Sequence, residues 1–201
     1  MNTLEAARFW TEYQTATQET AIYPGQRSST GLIYTALGLA GEVGEVCGQV
    51  KKVMRDDGNV LTSERLVKLS GELGDVLWYL ARAARELEID LGEVVLDTPS
   101  EPVRRAVPGN GTPTGLAFVA LGMFRCAARF GDEVMAVTFA DAARQRSLAD
   151  TLSPLLTDVF YTANLFAKQL DRELADVAVA NREKLLSRLE RGVLGGSGSN
   201  R

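Results

Sequence analysis

The 201-residue chain contains no histidine. That absence excludes an imidazole general base, a serine or cysteine triad built on histidine, and any His-ligated metal. Catalysis, if the chain performs any, must draw on carboxylates, Lys, Arg, hydroxyls or a cofactor. Cysteine is scarce as well: Cys47 and Cys126 are the only two. Both sit in apolar helical patterns, so neither a disulfide framework nor a Cys-rich metal cluster is expected, and the expected compartment is reducing. Long apolar runs are missing. The opening MNTLEAARFW lacks the basic start, the hydrophobic stretch and the small-residue cleavage pattern of an export signal. No later run has the length needed to span a bilayer. The expectation is a cytoplasmic protein with no membrane partner.

No charge of one sign dominates. With 22 basic and 26 acidic residues the formal charge is -4, which weighs against a dedicated nucleic-acid partner and leaves small phosphorylated substrates open. Strand-like alternation is nearly absent too, whereas 45% of the residues are apolar, enough for one core. The expected fold class is therefore all-α, with antiparallel helices joined by short connections.

Apolar spacing predicts a first helix over 3–20, anchored by Leu4, Phe9, Trp10 and Tyr13. A second runs over about 31–55 and stops at Asp56-Asp57-Gly58-Asn59; a third starts near Thr62 and carries Leu66, Leu69, Leu73, Val76, Leu77, Leu80 and Leu87. Residues 97–115 concentrate Pro and Gly as a linker does. Periodicity resumes over 116–129 and again over 134–144. Ser153-Pro154 predicts an N-cap and N1 proline for a long segment reaching Leu189, interrupted near 170–173.

The chain also repeats itself. GLIYTALGLAGEVGEV from Gly31 lines up with GLAFVALGMFRCAARF from Gly115, and LSGELGDVLWYLARAAREL from Leu69 with LSPLLTDVFYTANLFAKQL from Leu152. Shared Ala-Leu-Gly and Asp-Val elements, in the same order and at nearly the same separation, favour a tandem duplication forming a pseudo-dimer. The expected division is a first half over 1–96, a linker over 97–115, a second half over 116–191 and a glycine-rich tail over 192–201.

Two carboxylate pairs stand out. Glu42 and Glu45 are three apart on the second helix, and Glu72 and Asp75 three apart on the third, so each pair lies beside an apolar stripe and can point along the seam between packed helices. Four carboxylates brought together repel one another unless cations intervene, and hard divalent ions such as Mg2+ favour oxygen ligands.

The segments GLIYTALGLAGEVGEVCGQVKKVMRDDG and ELGDVLWYLARAARELEIDLGEV resemble the catalytic region of the MazG-like, all-α nucleoside triphosphate pyrophosphohydrolases, relatives of the dimeric dUTPases. The resemblance covers residues 13–94 and returns over 176–201, where AVANREKLLSRLERGVLGGSGSNR is similar to the family's closing segment. It implies Mg2+-dependent cleavage (Mn2+ a substitute) of the α–β phosphoanhydride of a nucleotide, giving a monophosphate and pyrophosphate. It also implies that Glu42, Glu45, Glu72 and Asp75 are the catalytic, metal-coordinating set, with Glu45 on the side of the general base.

Lys51, Lys52 and Arg55 follow the first acidic pair and are candidates for phosphate contacts. Asn181, Lys184 and Arg188 in the closing segment are candidate substrate contacts, with Arg191 and Arg201 weaker ones. Trp78, beside Asp75, is a candidate for the nucleobase pocket or for the core. The second half departs from the pattern: Cys126, Arg129 and Leu155 stand at the counterparts of Glu42, Glu45 and Glu72, and only Asp158 matches Asp75. It is expected to be a degenerate partner, so that each chain carries one site and pairs as a homodimer. Two alternatives accompany this reading: a dUTPase-like enzyme of narrow specificity, and a catalytically weak nucleotide sensor or assembly protein.

Overall fold

The helices begin where short polar side chains can satisfy free backbone amides. Asn2 accepts from the Glu5 amide at 2.9 Å while Glu5 accepts from the Asn2 amide, a reciprocal cap that starts α1, Thr3–Ala16. Ser28 caps α2, Ser29–Arg55; Thr62 caps α3, Ser63–Glu86; and Asp90 caps the short α4, Leu91–Leu96. Three further helices follow: α5, Pro113–Thr138, α6, Leu148–Gln169, and α7, Leu174–Glu190. The computed structural model describes residues 2–98, 111–138 and 148–195. Among these the chain is all-α.

Three expectations change in detail. The first helix gives way to a 3-10 turn at Thr17–Thr20, from which a strap over residues 21–28 leads into α2. Residues 116–129 and the start of the next expected segment form one continuous helix, α5, because Phe130 and Val134 extend its buried stripe through Gly131. Pro154 lies inside α6, because the helix already starts at Leu148 and Leu152 belongs to its buried face. Most of the 97–115 linker, residues 139–144 of the expected helix, and the tail from residue 196 lie outside the described residues.

Helices α2 and α5 pack along each other, and each packs on the following partner, α3 and α6 respectively. The core between them is drawn from Leu39, Val43, Val46, Leu73, Leu77, Phe130 and Phe166, all 0% exposed. The arrangement has a two-fold-like pattern. The closing helix α7 lies on α3 of the first half, and α4, in the corresponding place, lies on α6 of the second.

The turns before these closing helices match bond for bond. After α3, the Ile89 amide donates to the Ala84 carbonyl and the Glu88 amide to that of Arg85; after α6, Arg172 donates to Ala167 and Asp171 to Lys168. This is the Schellman closure, which needs a left-handed residue just past the helix, usually glycine. Here Glu88 (φ 57°) and Asp171 (φ 55°) take that conformation in both halves.

Candidate active site

Helices α2 and α3 approach closely because Gly38 offers no side chain: a Cβ there would lie 2.0 Å from the Tyr79 ring. On this seam Glu42, Glu72 and Asp75 converge, each offering a carboxylate oxygen within 4.8 Å of the others. Glu45, one turn beyond Glu42, is exposed and falls outside this group, although its charge acts on both Glu42 and Glu72.

Crowding of like charges is visible in the proton affinities. Burial, followed by the charges of Asp75, Glu45 and Glu72, pushes the Glu42 carboxyl up to about 7. Glu72 is raised as well, chiefly by burial, with a hydrogen bond from Gln49 acting in the opposite direction. A divalent cation would reverse this penalty.

The third wall comes from α7. Gly74 lets it approach, because a Cβ at that position would stand 2.7 Å from Cβ of Asn181. Asn181 Nδ2 then donates to Asp75 Oδ1 at 2.7 Å, and Lys184 Nζ donates to both Asp75 oxygens at 2.7 Å. Asn181 is 4% exposed, and its own Oδ1 is buried without a hydrogen-bond partner. The Tyr13 hydroxyl is likewise buried and unpartnered, and burial and the Asp75 charge keep it protonated. Three convergent carboxylate oxygens are a hard, all-oxygen donor set, which fits a divalent cation of the Mg2+ or Mn2+ kind.

A polar chain behind Glu72 escaped the sequence reading. Gln49 Nε2 donates to Glu72 Oε1 at 3.1 Å while Gln49 Oε1 accepts from Arg65 Nη1 at 2.7 Å, and Arg65 is forked onto Asp57 through Nε at 2.7 Å. The spacing held the signal: Gln49 follows Glu42 by seven residues and Glu45 by four, on the same helical face.

The basic candidates divide by position. Lys184 reaches the carboxylates, and Arg188 is half-buried one turn further along α7. Lys51 is exposed, Lys52 half-buried, and Arg55 is bound to its neighbour Asp56. These three lie ~14 to ~20 Å along the helix axis from Glu42 at 1.5 Å per residue. Arg191 is exposed, and Arg201 lies outside the described residues. Trp78 is half-buried; its indole N–H donates to Thr20 Oγ1 at 2.9 Å and its ring meets those of Tyr23 and Tyr79 edge-on.

The corresponding place in the second half is built differently. Arg129 pairs with Asp158 at 3.3 Å, beside the buried Cys126 and Leu155. The one carboxylate there thus already has a cation beside it. Burial raises the thiols of Cys126 and Cys47, as in inert core cysteines.

An all-α protein with a carboxylate cluster for a divalent cation is the class that this fold and site define. The chain belongs to the MazG nucleotide pyrophosphohydrolase domain family, whose model matches residues 32–101. It is also similar to the Gene 37 protein of Mycobacterium phage L5, at 47% identity over 85 residues, which is 41% of this chain and 75% of that protein. No solved structure matches. The chain is a pyrophosphohydrolase of that family, and among the described residues no helix is long and apolar enough to cross a membrane.

Proposed function

We propose that this chain hydrolyses the α–β phosphoanhydride of (deoxy)nucleoside triphosphates, releasing a monophosphate and pyrophosphate. The observation that carries the reading is the convergence of Glu42, Glu72 and Asp75 within 4.8 Å, with Lys184 on Asp75, in a chain of this family. Mg2+ at these oxygens would neutralise triphosphate charge and polarise the phosphoryl group. Glu42, Glu72 and Asp75 would hold the ion, and exposed Glu45, beside them, would accept the proton of the attacking water.

Lys184, Asn181 and Arg188 share one face of α7 and hold phosphate oxygens. Lys51 and Lys52 attract the triphosphate at longer range, with Arg55 released from Asp56 for the same role. Trp78 lies with Tyr23 and Tyr79 where a base would extend from the carboxylates.

The matched turns and the crossed closing helices favour duplication. In this reading residues 1–96 are the catalytic half, 116–191 a degenerate half that lends α7 to the site, and each chain carries one site. Exposed apolar side chains at Leu37 (70%) and Leu121 (65%), counterparts in the two halves, favour pairing of two chains.

A Mg2+-dependent panel of ordinary, deoxy- and damaged nucleotides, with products resolved, tests the reaction. Monophosphate plus pyrophosphate is expected; preference for dUTP alone would give the narrower dUTPase-like enzyme. Binding without turnover would make the protein a sensor, and diphosphate plus phosphate would place the cut at the wrong bond.

A further inference from the structure

Among the described residues Arg82 is the largest of the fully buried side chains, 1% exposed near the C-terminal end of α3. Its Nε donates to the Tyr23 hydroxyl at 3.1 Å and its Nη2 to Gln18 Oε1 at 3.0 Å. The remaining nitrogen, Nη1, is buried with no partner. Nor does the guanidinium form an ion pair among the described residues. The nearby Glu86 carboxylate is engaged instead by the Tyr23 hydroxyl at 2.5 Å and the Arg27 amide at 2.6 Å. Its charge meets that of Glu86 only across the shared Tyr23 hydroxyl, and a buried donor without an acceptor is expensive, so the fold gains nothing from Nη1.

Position gives the group a use. Arg82 follows Asp75 by seven residues, so it lies on the same face of α3 two turns on, at ~10.5 Å along the axis. That is comparable with the reach of a nucleotide from its α-phosphate to the distal edge of its base. Between the two ends stand the aromatic rings: Trp78 and Tyr79 meet at 4.9 Å, Tyr23 stacks on Tyr34 at 4.9 Å, and the Arg82 guanidinium lies 5.6 Å from the Tyr23 ring centre. The cover over Arg82 is the 3-10 turn and the strap that follows it, held to α3 through Gln18 and Thr20 of the turn and Tyr23 of the strap. For a base to reach the guanidinium, the buried Tyr23 must give way.

We infer that Arg82 Nη1 reads the distal edge of the nucleobase by donating to an exocyclic carbonyl, so that the enzyme selects bases bearing oxygen there over bases bearing an amino group. A guanidinium has donors only, and so does an amino group facing it. Hypoxanthine, guanine, uracil and thymine satisfy Nη1. Adenine and cytosine, presenting an amino group in that place, leave both donors unpaired. This selection rests on the pyrophosphohydrolase reading and names the substrate class of that same site.

The test uses pairs that exchange a carbonyl for an amino group at that edge: ITP against ATP, and dUTP against dCTP, with kcat/KM measured in Mg2+ for the full chain. The oxygen-bearing member of each pair is expected to be favoured about tenfold or more. Binding of IMP against AMP and of dUMP against dCMP in EDTA, by calorimetry, is expected to follow the same order without any metal. In Arg82→Lys and Arg82→Gln the preference should shrink toward parity, circular dichroism reporting whether each variant is folded. Parity or an amino preference in the unmodified protein, with turnover intact, overturns the inference alone, whatever the variants do. A preference that persists undiminished in a folded variant also overturns it. Failure to hydrolyse all four triphosphates, with the monophosphate order preserved, overturns the reaction and leaves the base selection standing.

Discussion

Lys184 donates from α7 to both carboxylate oxygens of Asp75 on α3, at 2.7 Å each. Residues 109 positions apart thereby join the last helix to the carboxylate seam. The ammonium also lowers the proton affinities of Glu42 and Glu72, so it supplies part of the positive charge that the cluster needs. Any cation at the cluster shares Asp75 with it.

Lys184→Gln should therefore cost most when metal is removed. We expect a loss of about 1–2 kcal/mol in EDTA, reduced from that of a buried pair because both side chains keep some solvent contact. Urea unfolding with and without saturating Mg2+ measures it. A loss that is equal in the two conditions would separate Lys184 from the cluster's charge balance.

Glu42→Gln should have opposite effects on stability and function. Removing one of several crowded negative charges relieves repulsion, so the metal-free melting temperature is expected to stay level or rise. The Mg2+-induced rise seen with the unmodified protein should vanish along with turnover. A variant that still gains stability from Mg2+ would show that Glu42 is not a ligand.

A pH dependence follows from the same carboxyl. Its proton affinity is raised from the ordinary 4.5 to about 7, so between these values the folded state holds more protons than the unfolded state. Stability in EDTA should then fall as pH rises through that window, and level off above it. Mg2+ competes with the proton, so its stabilising increment should grow over the same window. Thermal melts at a series of pH values, with EDTA or Mg2+, give both slopes.

Gly74→Ala places a methyl group 2.7 Å from Asn181 Cβ, against a helix and not a flexible tip. Helix α7 must shift, carrying Asn181 and Lys184 away from Asp75. We expect destabilisation of about 1–3 kcal/mol from overpacking, with reduced kcat/KM although no carboxylate has changed. Gly71→Ala, on the same helix where a Cβ meets nothing within 4 Å, is the control and should leave folding intact.

Periodicity is a local property, so the all-α class, the courses of α2 and α3, and the carboxylates at three-residue spacing beside apolar stripes were legible in the chain, whereas the short α4 was not. The lack of histidine had already narrowed the chemistry. Where the reading slipped, at Pro154 and at the break expected inside α5, the buried stripe of Leu152, Phe130 and Val134 overrode a local signal.

Only the tertiary structure decided which of the carboxylates meet, because convergence depends on how far each helix turns and how closely it approaches its neighbour. Gly38 and Gly74 set those approaches, and neither glycine announces its partner in the chain. The same is true of the link from Asp57 through Arg65 and Gln49 to Glu72, and of the burial of Arg82 beneath Tyr23. Each joins residues from separate segments: spacing puts Gln49 on the helical face of Glu42, but the partner across the seam is met only after the helices have packed.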